Sequence, residues 1–275
     1  MKSMEEIYEE LNAFIREGQW EKIESCLQTC MDEAREEEEN GIYVAAGNEL
    51  LSFYRQSGQY EKAFAVSEDI LLLMEELNLE DTEHFALVLM STGAAYEGAG
   101  QQREAERCYA RAARILDGKK GMELLLAEAL TSQGLLLLYR QEEKQAETFL
   151  NRARELFEQF EEKKEEEASA AEEERAAGGQ ASVYYLTALS GLGEAAWKQG
   201  NYAQALFCYE KAAEKSFSLS GASEGTRLFW KNCAAVCAAL KDPEKEAHYL
   251  ALMDGDPPLH AAATQSQTGS EGKVS

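Results

Sequence analysis

The chain has 275 residues, 45% of them hydrophobic, and three prolines, Pro243, Pro257 and Pro258. That apolar fraction supports a sizeable core, and the lack of proline before residue 243 disfavours a turn-rich all-β fold and favours long helices. Twenty-seven Lys and Arg against 51 Asp and Glu leave a net charge of -24. Such a surface repels phosphate backbones and anionic lipid headgroups, so neither nucleic acid nor a membrane is an expected partner.

The N-terminus, Met1-Lys2-Ser3-Met4-Glu5-Glu6, turns acidic at once and carries no apolar leader core. No uninterrupted apolar run, Leu135 to Tyr139 included, comes near the ~20 residues that span a bilayer. Cys26, Cys30, Cys108, Cys208, Cys233 and Cys237 form no Cys-x-x-Cys and read as reduced, core-filling residues of a cytoplasmic protein. His84, His248 and His260 lie far apart, with no catalytic-type neighbours.

Along the chain the same short pattern recurs. It reads Gly18-Gln19-Trp20-Glu21-Lys22-Ile23, Gly58-Gln59-Tyr60-Glu61-Lys62-Ala63, Gly100-Gln101-Gln102-Arg103-Glu104-Ala105 and Gly200-Asn201-Tyr202-Ala203-Gln204-Ala205. Weaker copies run from Gln141 to Ala146 and from Asp242 to Ala247. With the final residue of each as a mark (Ile23, Ala63, Ala105, Ala146, Ala205, Ala247), the spacings are 40, 42, 41, 59 and 42. Twelve before the mark stand Leu11, Leu51, Gly93, Gly134, Gly193 and Ala235; nine before it, Phe14, Tyr54, Tyr96, Leu137, Ala196 and Ala238. Four after it stand Leu27, Ser67, Tyr109, Leu150, Tyr209 and Ala251. A glycine that ends one helix, small residues that let two helices approach and aromatics that fill the gaps predict an antiparallel helix pair per repeat. One pair cannot bury its apolar face alone, so the pairs are expected to stack.

Small-x-x-aromatic, then Gly-x-Tyr-x-x-Ala, then an aromatic four on and Ala seven on resembles the tetratricopeptide repeat, most clearly over Gly93 to Ala112 and Gly193 to Ala212. The period exceeds the ~34 residues of the common form and is similar to the longer subtype of kinesin light chains and many bacterial solenoids. Leu79-Glu80-Asp81-Thr82-Glu83-His84-Phe85-Ala86 and the helices after it match that subtype best. The resemblance covers roughly residues 4 to 253. It implies an all-α, right-handed α-solenoid of about six tetratricopeptide-like helix pairs over 1–253. The fourth and sixth copies are degenerate, and the repeat-ending proline is missing.

Predicted pairs fall at about 3–39, 40–79, 80–119, 120–160, 181–220 and 221–253. The long fourth spacing contains an acidic run, so 161–180 is expected to be a helical insertion or loop outside the core. Asp242-Pro243 reads as an N-cap followed by proline at the first helical position. From Asp254 on, Pro257-Pro258 and a Gly-, Ser-, Thr- and Gln-rich stretch predict a disordered tail, 254–275.

Cys26/Cys30 and Cys233/Cys237 are spaced i, i+4 but have no further Cys or His nearby to complete a metal site. The glutamate runs at 36–39 and 161–174 read as solvated helix ends rather than paired acid–base carboxylates. Gly191 and Gly193 sit within a predicted helix, not in a nucleotide loop. No cofactor or metal is expected, and no catalytic constellation points to an enzyme. Trp20 is expected in the core. The C-terminal end, apolar nearly all round from Phe229 to Leu240, is expected to self-associate or to accept a partner.

The resemblance also implies a binding groove, at positions fifteen, eleven and eight before the mark on the first helix of each pair. These are Asn48, Ser52 and Arg55; Met90, Ala94 and Glu97; Thr131, Leu135 and Leu138; Ser190, Glu194 and Trp197; and Asn232, Val236 and Ala239. The expected function is a non-catalytic scaffold or adaptor that holds a peptide or helical segment of a partner protein there. Asparagine amides would take the backbone, and Leu135, Leu138 and Trp197 an apolar anchor. The alternative is a peptide- or ligand-sensing regulator that acts through protein contacts.

Overall fold

The computed structural model describes residues 2–166 and 173–255, and every helix or strand among them is an α-helix. In order these are α1 (Met4–Glu17), α2 (Trp20–Glu36), α3 (Asn40–Gln56), α4 (Tyr60–Glu76), α5 (Glu83–Gly98) and α6 (Gln102–Leu116). Then come α7 (Glu123–Tyr139), α8 (Glu143–Glu166), α9 (Glu173–Lys198), α10 (Tyr202–Ser220), α11 (Glu224–Leu240) and α12 (Pro243–Asp254). Within the units sequential helices pack as pairs, α1 with α2, α3 with α4, α5 with α6, α9 with α10 and α11 with α12, each an odd-numbered A helix and the even-numbered B helix after it, and α7 runs into α8 through a turn of the same kind. The chain divides into two compact units, Met1–Leu136 and Leu137–Ser275, with the boundary inside α7. Residues 256–275, most of the expected tail, lie outside the described residues.

The turn from A to B is the same piece of chemistry six times. One residue takes the left-handed conformation: Gly18 (φ 70°), Gly58 (71°), Gly100 (75°), Gln141 (63°), Gly200 (74°) and Lys241 (59°). The next amide then donates back five residues, Gln19 to Phe14 O, Gln59 to Tyr54 O, Gln101 to Tyr96 O, Glu142 to Leu137 O, Asn201 to Ala196 O and Asp242 to Cys237 O, at 2.8 to 3.0 Å. These bonds satisfy carbonyls that a helix end would otherwise leave unpaired.

This turn corrects the sixth copy of the sequence register. Its left-handed residue is Lys241 and its bonded carbonyl is Cys237, where the pattern placed Asp242 and Ala238. The register mark of the last pair is therefore Glu246, not Ala247. Ala234 and Cys237 occupy the small and aromatic slots and are buried, while Ala235 and Ala238 are exposed. The sequence offers no glycine at this turn, and a run of alanines fits either frame.

Packing follows the remaining slots. A Cβ placed on Gly93 would lie 2.8 Å from the Tyr109 ring, and one on Gly193 would lie 2.6 Å from the Tyr209 ring. So the small residue twelve before the mark seats the aromatic four after it. Ala63, Ala105, Ala146 and Ala205 are fully buried at the mark itself. Neighbouring pairs are joined by buried hydroxyl contacts, Ser67 Oγ to Thr92 Oγ1 (2.6 Å) between α4 and α5 and Ser216 Oγ to Thr226 Oγ1 (2.8 Å) between α10 and α11. Thr82 caps α5 through Phe85 N, and Asp242 caps α12 through Lys245 N with Pro243 next.

Trp20 departs from expectation. As the first residue of α2 it is 54% exposed, whereas Tyr60 and Tyr202, which open α4 and α10 in the same slot, are half-buried. All six cysteines are free thiols, four of them buried, and burial pushes the Cys233 thiol up to about 12, so it stays protonated. Residues 167–172, inside the expected insertion, lie outside the described residues. α8 continues to Glu166 and α9 starts at Glu173, and at the base of this extension Glu161 pairs with Lys215 of α10.

Candidate functional site

In the first unit, the slots fifteen, eleven and eight before the mark place Tyr8, Asn12 and Ile15 on α1, Asn48, Ser52 and Arg55 on α3, and Met90, Ala94 and Glu97 on α5. Spacings of four and three keep each trio on one helix stripe, and α3 packs against both α1 and α5. Tyr8, Asn12, Ile15 and Glu97 are exposed and Ser52 and Ala94 half-buried, whereas Met90 is buried within the stripe. Tyr8 Oη donates to Glu49 Oε1 (3.2 Å), and Tyr109 Oη donates to Glu97 Oε2 (3.0 Å). Burial and the Glu49 charge raise the Tyr8 phenol above its ordinary value, so it remains a donor at neutral pH.

The middle stripe holds the unusual chemistry. Among the described residues, two side-chain polar atoms are shielded from solvent and have no hydrogen-bond partner, Asn48 Oδ1 and Arg55 Nε. They are seven residues apart, two turns, on the same face of α3. One is an acceptor and the other a donor. Burying such a group unpaired costs about 1–3 kcal/mol, and native folds seldom tolerate it without a reason.

The stripe changes character on α7. Thr131 is fully buried, its Oγ1 donating to Ala127 O (2.8 Å). Leu138 is 3% exposed and only Leu135 is half-open. Thr131 and Leu138 are therefore interior side chains, not groove residues. The cause is composition: Leu124, Leu125, Leu126, Leu130 and Leu135 to Leu138 make α7 apolar on nearly every side, and such a helix is buried all round. Counting one turn back along this stripe would have found Glu128. It is a buried carboxylate whose pKa desolvation lifts to about 7.

In the second unit, Ser190 is half-buried, Glu194 is exposed and pairs with Lys198 Nζ (2.7 Å), and Trp197 is 39% exposed with its ring 5.1 Å from that of Tyr202. The corrected register moves the last trio. Val236 is 1% exposed and belongs to the core cluster with Cys233 and Cys237, and Asn232 and Ala239 are half-buried. The outward positions are Lys231, Ala235 and Ala238. At the chain's last pair, α12 has no buried residue, and Leu240 and Leu250 are exposed. Among the described residues no cluster of His, Cys, Asp or Glu could hold a metal ion, and no helix is long and apolar enough to cross a membrane.

These helix pairs define an all-α, solenoid-type repeat protein, and comparison with known proteins agrees. Residues 186–216, spanning the end of α9 and most of α10, match the family Tetratricopeptide repeat. No curated protein matches the chain in sequence. Among solved structures, BtubC (BKLC) from P. vanneervenii is similar with a TM-score of 0.67 and 18% identity, covering 93% of this chain and 96% of that one. A putative kinesin light chain with nearly identical TPR-like repeats from Podosopora anserina has a TM-score of 0.57 and 15% identity, covering 81% and 97%. YrrB, described as a TPR protein with an unusual peptide-binding site, has a TM-score of 0.53 and 17% identity, covering 86% and 96%. At these identities the likeness is one of fold, the tetratricopeptide and kinesin-light-chain type, which commonly mediates protein–protein interaction.

Proposed function

We propose that this protein is a non-catalytic adaptor that holds an extended peptide segment of a partner protein along the A-helix stripes of the first unit. The observation that carries this reading is the pair of unsatisfied atoms on α3, Asn48 Oδ1 and Arg55 Nε. A peptide backbone offers an N–H and a C=O at each residue. Both atoms are shielded without a ligand, so each half-buried side chain would turn outward for a peptide N–H to reach the Asn48 acceptor and for a carbonyl two turns along the helix to accept from Arg55. Recognition of this kind is indifferent to the partner's side chains, so sequence preference would come from neighbours such as Tyr8, Ile15 and Ala94. The peptide-binding site described for YrrB, a structure of the same fold, supports the same class of activity.

Selection of a displayed random-peptide library on the full chain tests this. Wild type should enrich binders whose affinity falls about tenfold or more in Asn48→Ala with Arg55→Ala, equal to the loss of one or two charge-assisted or neutral hydrogen bonds. Because the double variant removes two unpaired buried groups, it should be at least as stable as wild type, so lost binding would not reflect unfolding. Peptides that bind the folded double variant as well as wild type would remove α3 from the site.

A further inference from the structure

A second feature, in the other unit and independent of the α3 stripe, has the composition of a cation site. A pocket of about 510 Å³ opens between α10, α11 and α12, a volume typical of small-ligand sites. Trp230, 7% exposed, is among its lining residues. The Phe217 ring stands 5.9 Å from Trp230 at 41°, and His248 meets Tyr249 edge-on at 5.3 Å. Glu210 and Glu214 complete the lining from α10.

The two carboxylates are one turn apart on a single helix face, an arrangement that repels itself. The lysines of the same helix are engaged elsewhere: Lys211 pairs with Glu158 and Lys215 with Glu161, both on α8. From α12, Lys245 Nζ reaches only to 3.9 Å of Glu210 Oε1, and that oxygen also accepts from Tyr249 Oη at 2.5 Å. The Tyr249 bond orients both the carboxylate and the ring. Aromatic rings beside two carboxylates attract a positive charge that carries carbon substituents, since the rings take the alkyl groups and the carboxylates the charge.

We propose that this pocket binds an organic ammonium ion, a quaternary or alkylated amine. The same group occurs on free small molecules and on alkylated lysine side chains, and both sources present one chemistry to the site.

Titration of the full chain with choline, followed by calorimetry and by Trp230 emission, tests the proposal. To isolate that emission, the background carries Trp20→Phe and Trp197→Phe. Saturable binding is expected. The neutral isostere 3,3-dimethylbutan-1-ol should bind about tenfold more weakly. Glu214→Gln, a change at an exposed side chain that leaves the fold intact, should weaken choline but not the isostere. A peptide bearing trimethyllysine, set against its unmodified twin, distinguishes the sources: tighter binding than choline assigns the ammonium to a protein side chain, and weaker binding assigns it to a free molecule. No saturation up to about 10 mM of either probe, or equal binding of choline and the isostere, would overturn the assignment.

Discussion

Asn48 and Arg55 were nameable as positions by counting back from a repeat mark to the slots that the tetratricopeptide resemblance implies. That they are unsatisfied was not legible, since satisfaction depends on which neighbours arrive from other helices. Glu128 makes the same point through its titration. Burial lifts its pKa from the ordinary 4.5 to about 7, so the folded chain holds a proton there that the unfolded chain releases at lower pH. Stability from this group is present below pH 4.5 and is lost as pH rises towards about 7, with a ceiling of about 3 kcal/mol. Glu128→Gln cannot ionise. In urea melts its stability relative to wild type should therefore increase from pH 4.5 to 8, with most of the gain complete by about pH 7. A difference that does not change with pH would show that the carboxyl is solvated.

At the scale of elements, the glycine-centred turns were readable because only glycine enters the left-handed region at little cost. The two turns built on other residues were the degenerate ones. Gln141 ends α7 at φ 63° and Lys241 ends α11 at φ 59°, and the second misled the frame by one residue. Gln141→Gly removes the strain of a side chain in that conformation, worth about 1 kcal/mol after the added freedom of the unfolded chain is subtracted. The variant should melt a few degrees higher by calorimetry. An unchanged or lower melting temperature would mean that the Gln141 side chain contributes contacts of comparable worth. The acidic spacing between α8 and α10 reads as an insertion, helical or loop; that α8 runs to Glu166 and α9 begins at Glu173 needed the structure, because Glu- and Ala-rich sequence suits helix or solvated coil alike.

At the scale of the whole molecule, stacked repeats couple mainly to their neighbours. Gly193→Ala puts a methyl group 2.6 Å from the buried Tyr209 ring and should cost about 1–3 kcal/mol by overpacking. The loss should not spread evenly. Hydrogen exchange should speed up in α9 to α11, whose contacts meet at that ring and its core cluster, while amides of α2 to α5 keep their protection. Uniform loss across all helices would show that the 275 residues unfold as one cooperative block. The large negative charge acts at this scale too, by setting which ligands approach rather than which fold forms.

The sequence by itself determined the helical class, the number of pairs and five of six registers. Those follow from local rules: a left-handed glycine, a period near forty and small residues opposite aromatics. Tertiary structure alone decided which stripe positions remain open. Thr131, Leu138 and Val236 occupy nominal groove slots yet are buried, and Trp20 occupies a nominal core slot yet is exposed. It also brought Phe217, Trp230 and Tyr249 from three helices to one pocket beside Glu210 and Glu214. Periodicity specifies the face of a helix on which a side chain lies, but burial and charge pairing depend on what packs against that face, and that is settled only when distant segments meet.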